Sequence, residues 1–153
     1  MKKRFLRSYE QGRINHDTLL IKPLTFMNNS GAVMRYTSLR KYSSNDIIVV
    51  CDTLDLPPGV IRIKKGGSSA GHNGLKSLIA HLDDSTFIRV YIGIGRPKAG
   101  ETVVEYVLGK PVGKIEQQIV QEGIDAATKA VVDFIHEIPL GEVIRAYNRK
   151  VSP

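Results

Sequence analysis

Tryptophan is absent from this chain, cysteine occurs once, at Cys51, and no apolar run approaches the length a bilayer demands. A lone cysteine excludes an internal disulfide. It also leaves a structural zinc site short of thiolates, and the four histidines, His16, His72, His81 and His136, show no ligand spacing that would make up the deficit. The lack of a long apolar run excludes a membrane-spanning helix. Met1-Lys2-Lys3-Arg4-Phe5-Leu6 begins like a signal peptide, but Arg7 and Glu10 interrupt any apolar core, so the cytoplasm is the expected compartment. Aromatic residues make up only 7%, which disfavours a base-stacking platform. A nucleic-acid partner would then be met through its phosphates rather than its bases.

Positive charge is plentiful. Lys and Arg number 22 against 15 acids, a net charge of +7 and a pI near 9.6. Such an excess suits a polyanion, although a well-solvated basic surface accounts for it equally. The 153 residues suffice for one domain with a real core, and no repeat, low-complexity tract or linker divides them.

Residues 5–9 and 18–21 read as two short strands, with residues 12–17 as the turn between them. Ser30 can N-cap a helix running to about Tyr42. Ile47-Ile48-Val49-Val50 is a β-branched run, the pattern of a strand buried on both faces. Residues 60–64 alternate apolar and basic side chains, which predicts a strand with one wet, positive face. Leu75, Leu78, Ile79 and Leu82 follow helical spacing, and residues 87–94 form another strand. Ile115, Ile119, Ala127, Val131 and Phe134 share one face of a long helix over residues 114–136, and Pro139 can open a last helix. Strands interleaved with helices predict a three-layer α/β domain.

Chemistry concentrates in residues 51–76, CDTLDLPPGVIRIKKGGSSAGHNGLK. A buried strand delivers Asp52 at its C-terminal end, where open α/β sheets place their sites. Arg62, Lys64 and Lys65 make a basic strand and exit, and Gly66, Gly67, Gly71 and Gly74 permit a bent loop before a helix N-terminus, which attracts anions. Asn73 sits there with an amide that both donates and accepts. Taken singly, Asp52 could satisfy loop amides, the glycines could punctuate turns, and the basic residues could be a solvated face. Their concentration points to a site. A P-loop fails because Leu75 precedes Lys76-Ser77, and a dinucleotide fingerprint fails at Lys98. Gly67-Ser68-Ser69-Ala70-Gly71 does match the nucleophile elbow of serine esterases, with Asp133 and His136 following in order, but the helical pattern begins several residues after Ser69. His81 and His136 lie near helix ends, where a polar surface role is the default, and His16 lies in a turn.

Five segments occur together: LTFMNNSG (residues 24–31), DTLDLPPG (52–59), GGSSAGHNGLKS (66–77), IGIGRP (92–97) and VLGKP (107–111). In that order and spacing the chain resembles bacterial peptidyl-tRNA hydrolase over essentially its whole length. The resemblance implies an α/β/α sandwich with a mixed, mainly parallel sheet, and residues 1–153 as a single domain. It implies hydrolysis of the ester between a peptide and the 3′ ribose of tRNA, without metal or cofactor. Water attacks the carbonyl, aided by a general base and by donors to the oxyanion. By the same resemblance Asn28 and Asn73 hold the peptide main chain and the attacking water. His72 accompanies them as the substrate-side histidine that is not the base. Asp52 orients the catalytic histidine, and Arg62 and Lys64 contact tRNA phosphate. A monomer is expected, with peptidyl-tRNA as its partner and no membrane.

The chain departs from the pattern in two places. The family opens with a central strand, a GNPG loop and a TRHN motif that carries the general-base histidine, and these have no counterpart in the 153 residues. Impaired hydrolysis by the chain as written is therefore expected, along with a sheet missing that first strand. Tyr91 stands where the family usually has an arginine of the phosphate clamp, and Arg89, two residues back on the same strand face, is expected to cover part of that loss. Two further readings stay open: a non-catalytic RNA-binding protein on the hydrolase fold, and the Ser69-dependent esterase.

Overall fold

A computed structural model describes residues 2–3, 9–36, 39–111 and 113–148. The chain gathers into two compact units, one drawn from residues 1–47 and 66–87, the other from residues 48–65 and 88–153.

In the first unit an antiparallel sheet runs β1 (Lys2–Lys3), β2 (Tyr9–Arg13), β3 (Leu19–Pro23), with Tyr9 opposite Pro23 and Arg13 opposite Leu19. The hairpin sits later than the sequence suggests. Gly12 belongs to β2, and the expected strand residues 5–8 lie outside the described residues. The turn is fixed by Asn15, whose side-chain oxygen accepts from the backbone N–H groups of Asp17 (2.9 Å) and Thr18 (2.8 Å). A 3-10 helix covers Met27–Arg35, with Asn29 off helical geometry. It starts ahead of Ser30, whose hydroxyl donates back to the Met27 carbonyl instead of capping. The helix α1 (Asn73–Leu82) is N-capped by His72, whose Nδ1 accepts from the Leu75 N–H at 3.2 Å. Tyr9, Val33 and Leu39 form the buried centre of this unit, with the rings of Tyr9 and Tyr36 centred 5.0 Å apart.

The second unit is built on a mixed sheet of β4 (Ile48–Thr53), β5 (Ile61–Lys65) and β6 (Ile88–Gly93), in the order β4-β6-β5. β6 runs parallel to β4 and antiparallel to β5. The expectation of a mainly parallel sheet differs from the described strands, among which β4–β6 is the one parallel pair. The short 54–60 turn sends β5 back against β4's direction, and β6 fills the gap between them. β4 has β6 alone as a neighbour among the described residues, and the β-branched run is not buried on both faces, since Val50 is 49% exposed.

Three helices follow: α2 (Val103–Leu108), α3 (Lys114–Ile135) and α4 (Leu140–Tyr147). Ile61, Ile63, Val90, Ala127, Ala130 and Val143 make the core. The buried stripe of α3 is Gly123, Ala127 and Ala130, whereas Ile115 and Ile119, expected on it, are exposed. Small residues let α3 approach closely: a Cβ at Gly123 would lie 2.7 Å from the Gly59 Cα. Among the described residues no helix is long and apolar enough to cross a membrane.

Candidate active site and nucleic-acid interface

In the first unit the bent loop ahead of α1 uses left-handed backbone at Gly66, Gly67, Ala70 and Gly71, with φ of 72°, 107°, 46° and 80°. The loop delivers Asn73, exposed, as the first residue of α1, where the backbone N–H groups lack helical partners. Asn28 is exposed on the 3-10 helix that packs along α1. The two helices meet closely beside both asparagines: a Cβ at Gly74 would lie 3.1 Å from the Met27 Cγ. Met27 adjoins Asn28 and Gly74 adjoins Asn73, so the structure brings this pair of expected site residues to one end of the helix pair. His72 is half-buried and engaged in its cap.

Two other histidine and serine expectations change. His81 is not a surface residue. It is half-buried, and its Nδ1 lies 2.8 Å from the Ser77 carbonyl oxygen, which can only accept, so the ring proton sits on Nδ1. Its Nε2 is buried with no hydrogen bond among the described residues. Ser69 is half-buried in the loop, its carbonyl accepting from the His72 N–H at 2.9 Å, and α1 begins only at Asn73. A nucleophile elbow needs strand, serine and helix in direct succession, which this loop does not provide. His16 and His136 are exposed, in a turn and at the C-terminus of α3.

In the second unit Asp52 is half-buried on β4, opposite Ile92 of β6. Its neighbour Cys51 has its thiol pushed up to about 12, chiefly by burial and further by the Asp52 carboxylate, with Arg89 acting the other way. Arg62 and Lys64 are exposed on β5, alternating with the buried Ile61 and Ile63, as strand geometry requires. They stand opposite Tyr91 and Arg89. Arg89 shares their sheet face but not their exposure. It is 0% exposed, and its guanidinium donates to the Tyr91 hydroxyl at 3.2 Å. The expectation that Arg89 faces a phosphate is corrected accordingly. Among the described residues β6 is the middle strand, flanked by both neighbours, whereas β5 lies at the edge of the sheet.

The helix α2 escaped the sequence reading although Thr102 and Glu105 spell a capping box. Thr102 Oγ1 accepts from the Glu105 N–H, and the Glu105 carboxylate accepts from the Thr102 N–H. The Thr102 N–H and, at 2.8 Å, the Thr102 hydroxyl both donate to this carboxylate and lower its pKa. Tyr106 fastens α2 to the loop after β6 by donating to the Ile94 carbonyl.

Comparison with known proteins gives the class first: an α/β enzyme, a carboxylic ester hydrolase. The family model described as Peptidyl-tRNA hydrolase matches residues 1–153, and the chain belongs to that family. It is 43% identical over 142 residues to the peptidyl-tRNA hydrolase of Halalkalibacterium halodurans, covering 92% of this chain and 76% of that protein. It is 46% identical over 136 residues to the enzyme of Bacillus subtilis (strain 168), covering 87% and 70%. The crystal structure of peptidyl-tRNA hydrolase from Acinetobacter baumannii superposes with a TM-score of 0.81 at 34% identity, covering 92% of this chain and 72% of that one.

Proposed function

We propose that the chain cleaves the ester between peptide and tRNA in peptidyl-tRNA, with Asn28 and Asn73 holding the peptide main chain and the attacking water. The observation that supports this reading is the close approach of Met27 to Gly74, the chain neighbours of the exposed Asn28 and Asn73, beside the N-terminus of α1. An amide pairs with N–H and C=O alike, so two of them can grip a peptide backbone and still orient a water. Donors fixed in advance also stabilise the oxyanion as it forms, without reorganisation. In the family's scheme Asp52 supports the general-base histidine of the TRHN motif, which the 153 residues do not carry, by accepting its N–H and stabilising the imidazolium. The base takes the water's proton as the C–O bond to the ribose breaks, and the 3′ oxygen leaves with a proton. Arg62 and Lys64 hold tRNA phosphate, His72 shapes the substrate side through its cap, and no metal or cofactor takes part. The enzyme works as a monomer in this reading. Among the described residues β4 has β6 as its one neighbour, which in this reading leaves its other edge for the family's further strand.

Steady-state hydrolysis of N-acetyl-aminoacyl-tRNA tests the assignment. Asn73→Ala is expected to lower kcat/KM by about 10²-fold, the scale of losing one preorganised donor, while affinity for uncharged tRNA stays unchanged. An Asn73→Ala enzyme with wild-type kcat/KM would remove Asn73 from the mechanism.

A further inference from the structure

We infer that Ser77 is a positioning residue that sets the spacing of the two substrate-holding amides. The inference rests on the proposed role of Asn28 and Asn73 and extends it to residues that never touch substrate. Ser77 closes the GHNGLKS segment and Gly31 closes LTFMNNSG, and neither was given a role by the sequence.

The structure joins them. The Gly31 N–H donates to the Ser77 hydroxyl at 2.9 Å, in a buried bond between residues 46 positions apart. Ser77 is 8% exposed, and Gly31 is buried as well. The approach is so close that a Cβ at Gly31 would overlap the Ser77 carbonyl oxygen and lie 2.7 Å from the His81 Nδ1. Only glycine permits it. The Ser77 carbonyl is in turn held by the His81 Nδ1–H at 2.8 Å. Ser77 thus pins the 3-10 helix with its side chain, while its main chain and the His81 ring form the wall against which Gly31 rests.

The position of this peg gives it its effect. Asn73 and Ser77 are four residues apart on α1, so they lie on the same side, one turn from each other. Asn28 and Gly31 are three residues apart on the partner helix, across the non-helical Asn29, so Gly31 is close to Asn28 along the chain. The peg therefore fixes the two helices one turn from Asn73 on α1 and three residues from Asn28 on its partner, and the Met27–Gly74 contact fixes them at the residues next to both asparagines. Removing the hydroxyl leaves the buried Gly31 N–H without its acceptor, and the helix pair shifts to find one. Shifts well under an ångström matter to groups that must grip one peptide between them.

The test measures two dissociation constants: for uncharged tRNA and for an amide-linked, non-hydrolysable peptidyl-tRNA analogue. Their ratio reports the grip on the peptide. Asn73→Ala should bring the ratio close to one. Ser77→Ala should lower it about tenfold, with affinity for uncharged tRNA unchanged, and should have no further effect when added to Asn73→Ala. A merely structural serine would weaken both ligands together and add its effect in the double variant, and that result overturns the inference. So does a wild-type ratio in Ser77→Ala beside a collapsed ratio in Asn73→Ala. A wild-type ratio in Asn73→Ala instead sinks the underlying reading, and the inference with it. Should Ser77→Ala not fold, Ser77→Cys, close in volume but a weak acceptor, is measured in its place with the same fall expected.

Discussion

Cys51 shows how one residue reports on its surroundings. Burial and the Asp52 carboxylate raise its thiol from the usual 9.0 to about 12, so the reactive thiolate is scarce at neutral pH. Iodoacetamide at pH 8 should leave the folded protein unmodified and label it fully after denaturation, as read by intact mass; rapid labelling of the native chain would contradict this environment. The same shift has a stability consequence. The unfolded chain gives up this proton near pH 9 while the folded chain keeps it, so stability is complete below that pH and falls as pH rises towards 12. At this scale the sequence singles out Asn28, Asn73 and Asp52 because they stand in recognisable segments. It was uninformative where burial decides. Alternation along β6 gives the face of Arg89 but not the order β4-β6-β5 that buries it. His81 and Ser77 belong to a contact between residues far apart in the chain, which no local pattern carries.

Among elements, β5 carries the phosphate contacts proposed for Arg62 and Lys64. Its alternation was legible because Ile61 and Ile63 enter the core and force Arg62 and Lys64 outward. Arg62→Ala and Lys64→Ala should each reduce the slope of log K against log salt for tRNA by about one, the signature of one lost phosphate contact. An unchanged slope in both would place the tRNA elsewhere. The strand's outer edge is closed by Asn148, which accepts from the Ile63 N–H at 2.7 Å and donates to the Ile63 carbonyl at 2.9 Å. Asn148→Ala should cost about 2 kcal/mol in urea unfolding, because both partners lose their bonds. A loss within about 0.5 kcal/mol of zero would show that water replaces the amide. On α3, Gly123→Ala should also destabilise, by about 1–3 kcal/mol, because its new Cβ meets the backbone of Gly59. The period of α3 was legible, but its depth was not: Ile115 is 77% exposed although it lies on the predicted apolar stripe. Spacing identifies a face, and only the packed partner decides how far along the helix that face is covered.

At the scale of the whole molecule, a net charge of +7 and an edge strand carrying Arg62 and Lys64 suit a polyanionic substrate, and membership of the peptidyl-tRNA hydrolase family states which one the family acts on. Each unit carries part of the proposed chemistry. The first presents Asn28 and Asn73, and the second presents Asp52 and the basic strand. The most direct measurement is release of N-acetyl-amino acid from N-acetyl-aminoacyl-tRNA, followed for the 153-residue chain and for the same chain carrying the N-terminal segment that the resemblance calls for. The account predicts faster release by the extended form than by the 153-residue chain, with Asn73→Ala slowing the extended form by about 10²-fold. No release by either form, or equal release by Asn73→Ala, would contradict it.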